Sequence, residues 1–267
     1  MTTIKKLIDL KGRRALITGA TGGLGKVMAD TLAELGADLV LTDLQGSDMD
    51  SLSSSLINQW DVKVESHFCD LEQQAQRREL IDFLKSGEQG LNILINNAAL
   101  VGSSDLQGWS VPFEDQTLET WRRALEVNLT AVFDLCQGLT PLLSVAKGAN
   151  IINIASTYGL YGPDWNLYKG TSMSNPAAYG ASKGGVIQFT RWLSTTIAPN
   201  IRVNAISPGG VFRKQPEVFV QRYEAKTPLG RMASEDDFRG VVAYLASDMS
   251  NYMTGQNLLV DGGWGTW

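Results

Sequence analysis

Tyr179 and Lys183 stand four residues apart in the segment PAAYGASKGGV. In a helix that spacing puts both side chains on one face, a phenol beside an ammonium group. A free phenol loses its proton near pH 10, about three units too high for a base at neutral pH. A fixed positive charge nearby favours the phenolate and lowers that value. The pair can therefore turn tyrosine into a proton-transfer group. Spacing alone does not establish this, because Tyr and Lys fall four apart on many ordinary helix surfaces. Three other tyrosines lie close by in the chain, and none has the lysine. Tyr158 is followed four residues on by Gly162, Tyr161 by Trp165 and Tyr168 by Ser172.

Other chemistries have little to work with. His67 is the only histidine and sits in a strand-like run, VKVESHFCD. Serine-histidine catalysis and a histidine-rich metal site are thereby disfavoured, and no metal is expected. Cys69 and Cys136 are the only cysteines, outside any CxxC or metal spacing. Two thiols are too few for a disulfide framework and point to a reducing, cytoplasmic setting. With 28 acidic and 23 basic residues the net charge is −5, which argues against a nucleic-acid surface. The segment MTTIKKLIDLKGRR lacks an apolar stretch of signal-peptide length, and no run approaches a membrane span.

A second chemical feature opens the chain. RALITG (14–19) reads as a strand and LGKVMADTLAELG (24–36) as a helix ended by Gly36. Between them runs Thr18-Gly19-Ala20-Thr21-Gly22-Gly23-Leu24-Gly25. A glycine turn there lets the backbone approach a pyrophosphate, which the helix N-terminus then meets with free N–H groups and a positive dipole end. Asp43 ends the next strand, where a carboxylate can bind the adenosine ribose hydroxyls and would repel a 2′-phosphate. No Arg or Lys lies in the glycine turn or directly after Asp43, so NAD is favoured over NADP. Asp70 ends a third strand and could bond the adenine amino group or cap a helix.

The rest of the chain must position these groups. Strands are expected at 14–19, 38–43, 62–70, 91–99, 150–156, 201–207 and 257–261. Helices are expected at 24–36, in the polar segment before 62, over 118–145 with a break near Pro141, at 179–197 and near 234–247. The strands are continuous apolar runs, which suits a parallel sheet buried on both faces. Strand–helix alternation then gives an α/β fold, a doubly wound Rossmann-type sheet of about seven strands with helices on both faces. No linker divides the chain, so one domain over 1–267 is expected.

Taken in order, TGxxxGxG at Thr18–Gly25, Asp70-Leu71, Asn96-Asn97-Ala98-Ala99, Asn128, Ser156, Tyr179-x-x-x-Lys183 and Arg202-Val203-Asn204-Ala205 leading to Pro208-Gly209 resemble the short-chain dehydrogenase/reductase family over nearly the full length. The resemblance implies a catalytic set of Asn128, Ser156, Tyr179 and Lys183. Tyr179 would exchange the proton with a secondary alcohol or ketone, and Ser156 would hydrogen-bond the substrate oxygen. Lys183 would lower the tyrosine pKa and hold the nicotinamide ribose, and Asn128 would support a proton-relaying water chain. The implied cofactor contacts are Gly19, Thr21, Gly23, Leu24, Gly25, Asp43, Asp70, Leu71, Asn97, Ala98, Tyr179, Lys183, Pro208, Gly209 and Val211. A homo-oligomer, a tetramer or dimer, is implied as well. Two positions depart from the family pattern. Ala99 stands where glycine is usual, and Arg213 replaces the threonine that closes PGxxxT and commonly holds the nicotinamide amide.

Substrate specificity is expected in two loops, near 157–178 and 211–226. The first is longer than the family commonly shows and carries Asp164, Trp165, Asn166, Tyr168 and Lys169. Aromatic faces beside hydroxyl and amide groups suit a sugar, though such a loop is equally suited to a subunit contact. The second is a mobile lid in the family, and here offers Arg213 and Lys214 to an anionic group or to solvent. The insertion and the C-terminal DGGW, where Trp264 or Trp267 could join a pocket, are similar to dehydrogenases of bacterial surface-sugar and flagellin-glycan pathways. Two rivals stay open, an NADPH-dependent carbonyl reductase and a dinucleotide-sensing regulator without catalysis; an epimerase or dehydratase would need a separate sugar domain that this length does not allow.

Overall fold

The computed structural model describes residues 2–87, 89–101, 104 and 106–267. Its elements are α1 (Ile4–Ile8), β1 (Arg14–Thr18), α2 (Gly23–Glu34), β2 (Asp38–Asp43), α3 (Met49–Trp60), β3 (Val64–Phe68), α4 (Gln74–Ser86), β4 (Ile93–Asn96) and α5 (Leu118–Leu125). They continue with α6 (Ala131–Ser144), β5 (Asn150–Ile154), α7 (Ala177–Thr196), β6 (Arg202–Pro208), α8 (Glu217–Lys226), α9 (Arg239–Ala246) and β7 (Asn257–Val260). The strands form a single seven-stranded sheet in the order β3-β2-β1-β4-β5-β6-β7, every pair parallel. This is the doubly wound Rossmann-type sheet expected from strand–helix alternation.

Successive strand residues point to opposite faces, and both faces are covered. Ala15, Ile17, Leu39, Leu41, Ile93 and Ile95 pack with Met28 and Leu32 of α2, Leu56 of α3 and Val242 of α9. Leu16, Val40, Leu94, Ile151 and Val203 face the other way, onto Leu80 of α4, Leu135 and Leu139 of α6 and Leu193 of α7. Double burial is why β1, β2 and β4 read as largely continuous apolar runs, whereas the edge strands β3 and β7 are only partly buried.

Three expectations change. The interruption in 118–145 is not at Pro141 but at a π-helical turn, Glu126–Thr130, between α5 and α6. Pro141 lies inside α6, near its end, and removes one ladder bond; Thr140 Oγ1 donates to the Cys136 carbonyl at 2.6 Å one turn back. Helices α4 and α8 were not anticipated. Their surfaces are highly polar, and α4 keeps an apolar face of little more than Leu80, Ile81 and Leu84.

Candidate active site

The chain leaves β1 toward β2 on one side and resumes with β4 on the other. Strand order therefore reverses between β1 and β4, and a crevice opens at their C-terminal ends. A cleft of about 970 Å³ occupies this place. Its walls include every cofactor position implied by the sequence, together with Ser156, Tyr179 and Lys183. Asn128 lies behind the wall and is fully buried.

The glycine turn is tight at two defined points. Gly19 has φ +63°, and a Cβ there would lie 2.8 Å from the Ala98 Cα. A Cβ on Gly25 would lie 2.1 Å from the Gly19 carbonyl oxygen. Asn97 Nδ2 donates to the carbonyls of Thr18 (2.9 Å) and Gly19 (3.0 Å), while the Asn97 and Ala98 amides donate to Thr18 Oγ1 at 3.0 Å each. Asn97 and Ala98 thus form the back of the turn, and the Asn97 side chain is committed to holding it. The turn leaves bare backbone at the N-terminus of α2, whose N-cap Gly22 has no side-chain cap, a cradle suited to a pyrophosphate.

Asp43 faces this turn. Its Oδ2 accepts from the Thr21 amide (2.8 Å) and Thr21 Oγ1 (2.6 Å), and its Oδ1 accepts from the Leu44 amide (2.8 Å). Asp70 also borders the cleft and accepts from the Glu72 amide at 3.0 Å. It makes an Asx turn and is not the cap of α4, whose N-cap is Gln73. Leu71 is buried beside it, and its carbonyl accepts from Arg77 Nη1.

At the other end of the cleft, Tyr179 and Lys183 share one face of α7, as their spacing requires. Lys183 Nζ lies 5.9 Å from the Tyr179 ring centroid and donates to the Ile154 carbonyl at 2.7 Å. Ser156, two residues beyond that carbonyl, accepts from the Tyr158 amide at 3.1 Å and caps the short turn Thr157–Gly159. Gly159 lets this turn touch α7, because a Cβ would lie 2.7 Å from the Lys183 carbonyl carbon. Burial holds the Lys183 ammonium down to about 8. Burial also pushes the Tyr179 phenol up, while the Ser156 hydroxyl and the positive charge of Arg213 pull it back. The net direction at Tyr179 is upward, opposite to the effect expected of a lysine alone, because desolvation outweighs the neighbouring charge. Asn128 sits on the π-turn. Its Oδ1 accepts from the Leu100 amide (2.7 Å), and its Nδ2 donates to the Leu100 carbonyl (3.0 Å) and Ser182 Oγ (3.1 Å).

Comparison with known proteins places this geometry. Residues 19–265 match the family described as enoyl-(acyl carrier protein) reductase. The chain is 31% identical over 261 residues to a 3-oxoacyl-(acyl-carrier-protein) reductase of Thermotoga maritima, covering 95% of this chain and 98% of that one. The chain belongs to the short-chain dehydrogenase/reductase family. It is an NAD(P)-dependent oxidoreductase acting on CH–OH groups. Two solved members show the same architecture. A short-chain dehydrogenase from Leptospira borgpetersenii with bound NAD+ is 33% identical with a TM-score of 0.85, covering 99% of this chain and 96% of that one. A gluconate 5-dehydrogenase from Burkholderia cenocepacia in complex with NADP and tartrate is 27% identical with a TM-score of 0.87, covering 99% and 100%. The two carry different nicotinamide dinucleotides. The likeness to surface-sugar dehydrogenases finds no support among these relatives.

In this dehydrogenase/reductase Asp164, Trp165, Asn166 and Lys169 of the insertion lie outside the cleft wall, which takes Tyr168, Ser172, Ser174 and Asn175 instead. Asp164 pairs with Lys226 at 3.0 Å, Lys169 donates to Asn166 Oδ1 at 2.7 Å, and Trp165 is exposed. These side chains lie against α8 because that helix offers Lys226 and Arg222, the latter donating to the carbonyls of Asn166 and Leu167. Tyr168 is the member of that group that reaches the cleft. Its hydroxyl lies 2.7 Å from the Tyr158 hydroxyl and accepts from Asn175 Nδ2 at 3.3 Å. Opposite, Tyr223 stacks on Trp264 with ring centroids 5.9 Å apart. Tyr223 and Asn175 were missed by sequence reasoning. Neither has a motif, and only their membership in the two substrate loops marked them. Trp267 is exposed and bonds the Lys226 carbonyl, outside the cleft wall.

Proposed function

We propose that the chain is an NAD-dependent dehydrogenase that interconverts a secondary alcohol and a ketone on a ring-shaped, hydroxyl-bearing substrate such as a sugar or activated sugar. The observation carrying this reading is that one cleft joins the Asp43–Thr21 contact at the glycine turn to Tyr179, Ser156 and Lys183. Bound nicotinamide supplies the hydride acceptor or donor. Tyr179 takes the alcohol proton in oxidation and returns it in reduction. Ser156 donates to the substrate oxygen as its charge changes. Lys183 holds positive charge beside the phenolate and contacts the cofactor ribose, and Asn128 fixes the Leu100 backbone against α7. The glycine turn, Asp70-Leu71, Asn97-Ala98 and Pro208, Gly209 and Val211 form the dinucleotide wall.

Asp43 supports NAD, since its carboxylate would meet a 2′-phosphate with like charge and no described cation bonds it. The paired Tyr158 and Tyr168 hydroxyls, Asn175 and the Tyr223–Trp264 stack favour a polar ring over an alkyl chain. The reading includes a single domain over 1–267, a cytoplasmic setting and a homo-oligomer. An aromatic stripe at Phe133, Phe189 and Trp192 on α6 and α7 supports the last. The test is a spectrophotometric screen of purified protein with NAD and NADP against sugars, polyols, hydroxy acids and apolar alcohols. Turnover of ring polyols with NAD is expected. Activity confined to NADPH, or to apolar alcohols, would overturn it in favour of a carbonyl reductase.

A further inference from the structure

Arg213 stands where the family pattern has threonine, and its side chain, 46% exposed, folds back onto the N-terminus of α2. A Cβ added to Gly23 would lie 2.8 Å from Arg213 Nη2 and 2.8 Å from Glu235 Oε1. The guanidinium therefore lies against the bare backbone of the first residue of α2. One donor is engaged, Nε to Glu235 Oε1 at 3.2 Å. The Nη nitrogens donate to no described residue. The other cations on the cleft wall are committed elsewhere. Arg123 is held by Glu72 through two bonds at 2.8 and 3.0 Å, and Lys183 sits at Tyr179. Two free donors beside a helix N-terminus match the oxygens of a diphosphate.

We propose that Arg213 is a pyrophosphate clamp: its Nη groups close over the cofactor diphosphate opposite the α2 amides, a contact distinct from the amide contact of the family threonine. The proposal rests on the dinucleotide reading of the cleft. Glu235 has a place in it, keeping Nε anchored so that the fork stays aimed at Gly23. The arrangement carries a built-in penalty. Without Arg213, Glu235 would face the diphosphate as a bare negative charge.

The test is calorimetric titration of NADH, ADP-ribose and adenosine into wild type, Arg213→Ala, Arg213→Lys and Arg213→Ala/Glu235→Gln. Arg213→Ala is expected to weaken NADH and ADP-ribose by about tenfold to a hundredfold and leave adenosine unchanged. Arg213→Lys restores part of the loss. The double variant recovers only the share due to Glu235. ADP-ribose affinity in Arg213→Ala within twofold of wild type would overturn the clamp, as would full recovery in the double variant, which would reduce Arg213 to a neutraliser of Glu235. Unchanged cofactor affinity with a raised KM for anionic substrates would assign Arg213 to the substrate and overturn it too. Failure of wild type to bind any nicotinamide dinucleotide would instead overturn the function proposed above. All the variants change partly exposed side chains, and thermal unfolding confirms that they fold.

Discussion

Thr21 donates twice to one oxygen of Asp43, from its amide at 2.8 Å and from its hydroxyl at 2.6 Å. The carboxylate that closes β2 is thereby fixed against the glycine turn, and its charge stands at that end of the cleft. Asp43→Asn keeps the shape and removes the charge. NADPH affinity should rise about tenfold or more, since a like-charge clash is worth that much or more, with a modest loss for NADH. Parallel fluorescence titrations with the two reduced cofactors check this; unchanged preference would show that selection lies elsewhere.

Lys183 carries a stability cost that can be measured separately from activity. Its folded pKa, about 8, lies below its ordinary value of 10.5. The native state therefore sheds the proton between those values while the unfolded chain still holds it, and stability rises with pH across that window. At pH 7 the buried charge costs about 3 kcal/mol, from 1.36 kcal/mol per unit, at least as much as the roughly 1.5–3 kcal/mol of a charged hydrogen bond such as that to the Ile154 carbonyl. Lys183→Met should raise Tm at pH 7 by a few degrees and lose activity, and its advantage should shrink by pH 10. A variant less stable at pH 7, with no pH dependence, would contradict the sign.

The sheet, and the gathering of the glycine turn, Ser156, Tyr179 and Lys183 around one cleft at its edge, were largely legible in the sequence, for one physical reason. A strand buried on both faces must be apolar throughout, and a turn that meets a diphosphate must be glycine, so composition is forced where the site is built. Gly25, with no room for a Cβ, is such a position. The substrate side was less legible. Asp164, Asn166 and Lys169 have polar groups suited to a sugar, but α8 presents Lys226 and Arg222 to them, and the pairing is a tertiary outcome no local pattern encodes. The rise in the Tyr179 pKa has the same origin: spacing places the lysine, but burial sets the sign.

That pairing makes the insertion and α8 one unit. Arg222 bonds the carbonyls of Asn166 and Leu167, and Tyr168 packs edge-on against Phe219 with centroids 5.4 Å apart. Arg222→Ala should raise KM severalfold, speed tryptic cleavage within 162–176 and change Tm by little, because the side chain is only partly buried. Unchanged proteolysis would show that the arginine does not hold the loop.

Because burial raises the Tyr179 phenol, the phenolate is a minor species at neutral pH and grows about tenfold per pH unit. Alcohol oxidation should climb with pH from 6 to about 8, with a slope near one in log kcat/KM, and flatten above that as Lys183 loses its charge, while ketone reduction, which needs the protonated phenol, should gain nothing. A flat oxidation profile would mean that the proton goes elsewhere.

The most direct measurement is on Tyr179→Phe, which removes the hydroxyl and keeps the ring. Turnover of the accepted alcohol with NAD and the dissociation constant for NADH are measured on the same preparation. Turnover should fall by about 10²–10⁴-fold, with NADH affinity within about threefold of wild type. Near wild-type turnover in a variant that still binds NADH would contradict Tyr179 as the proton-transfer group.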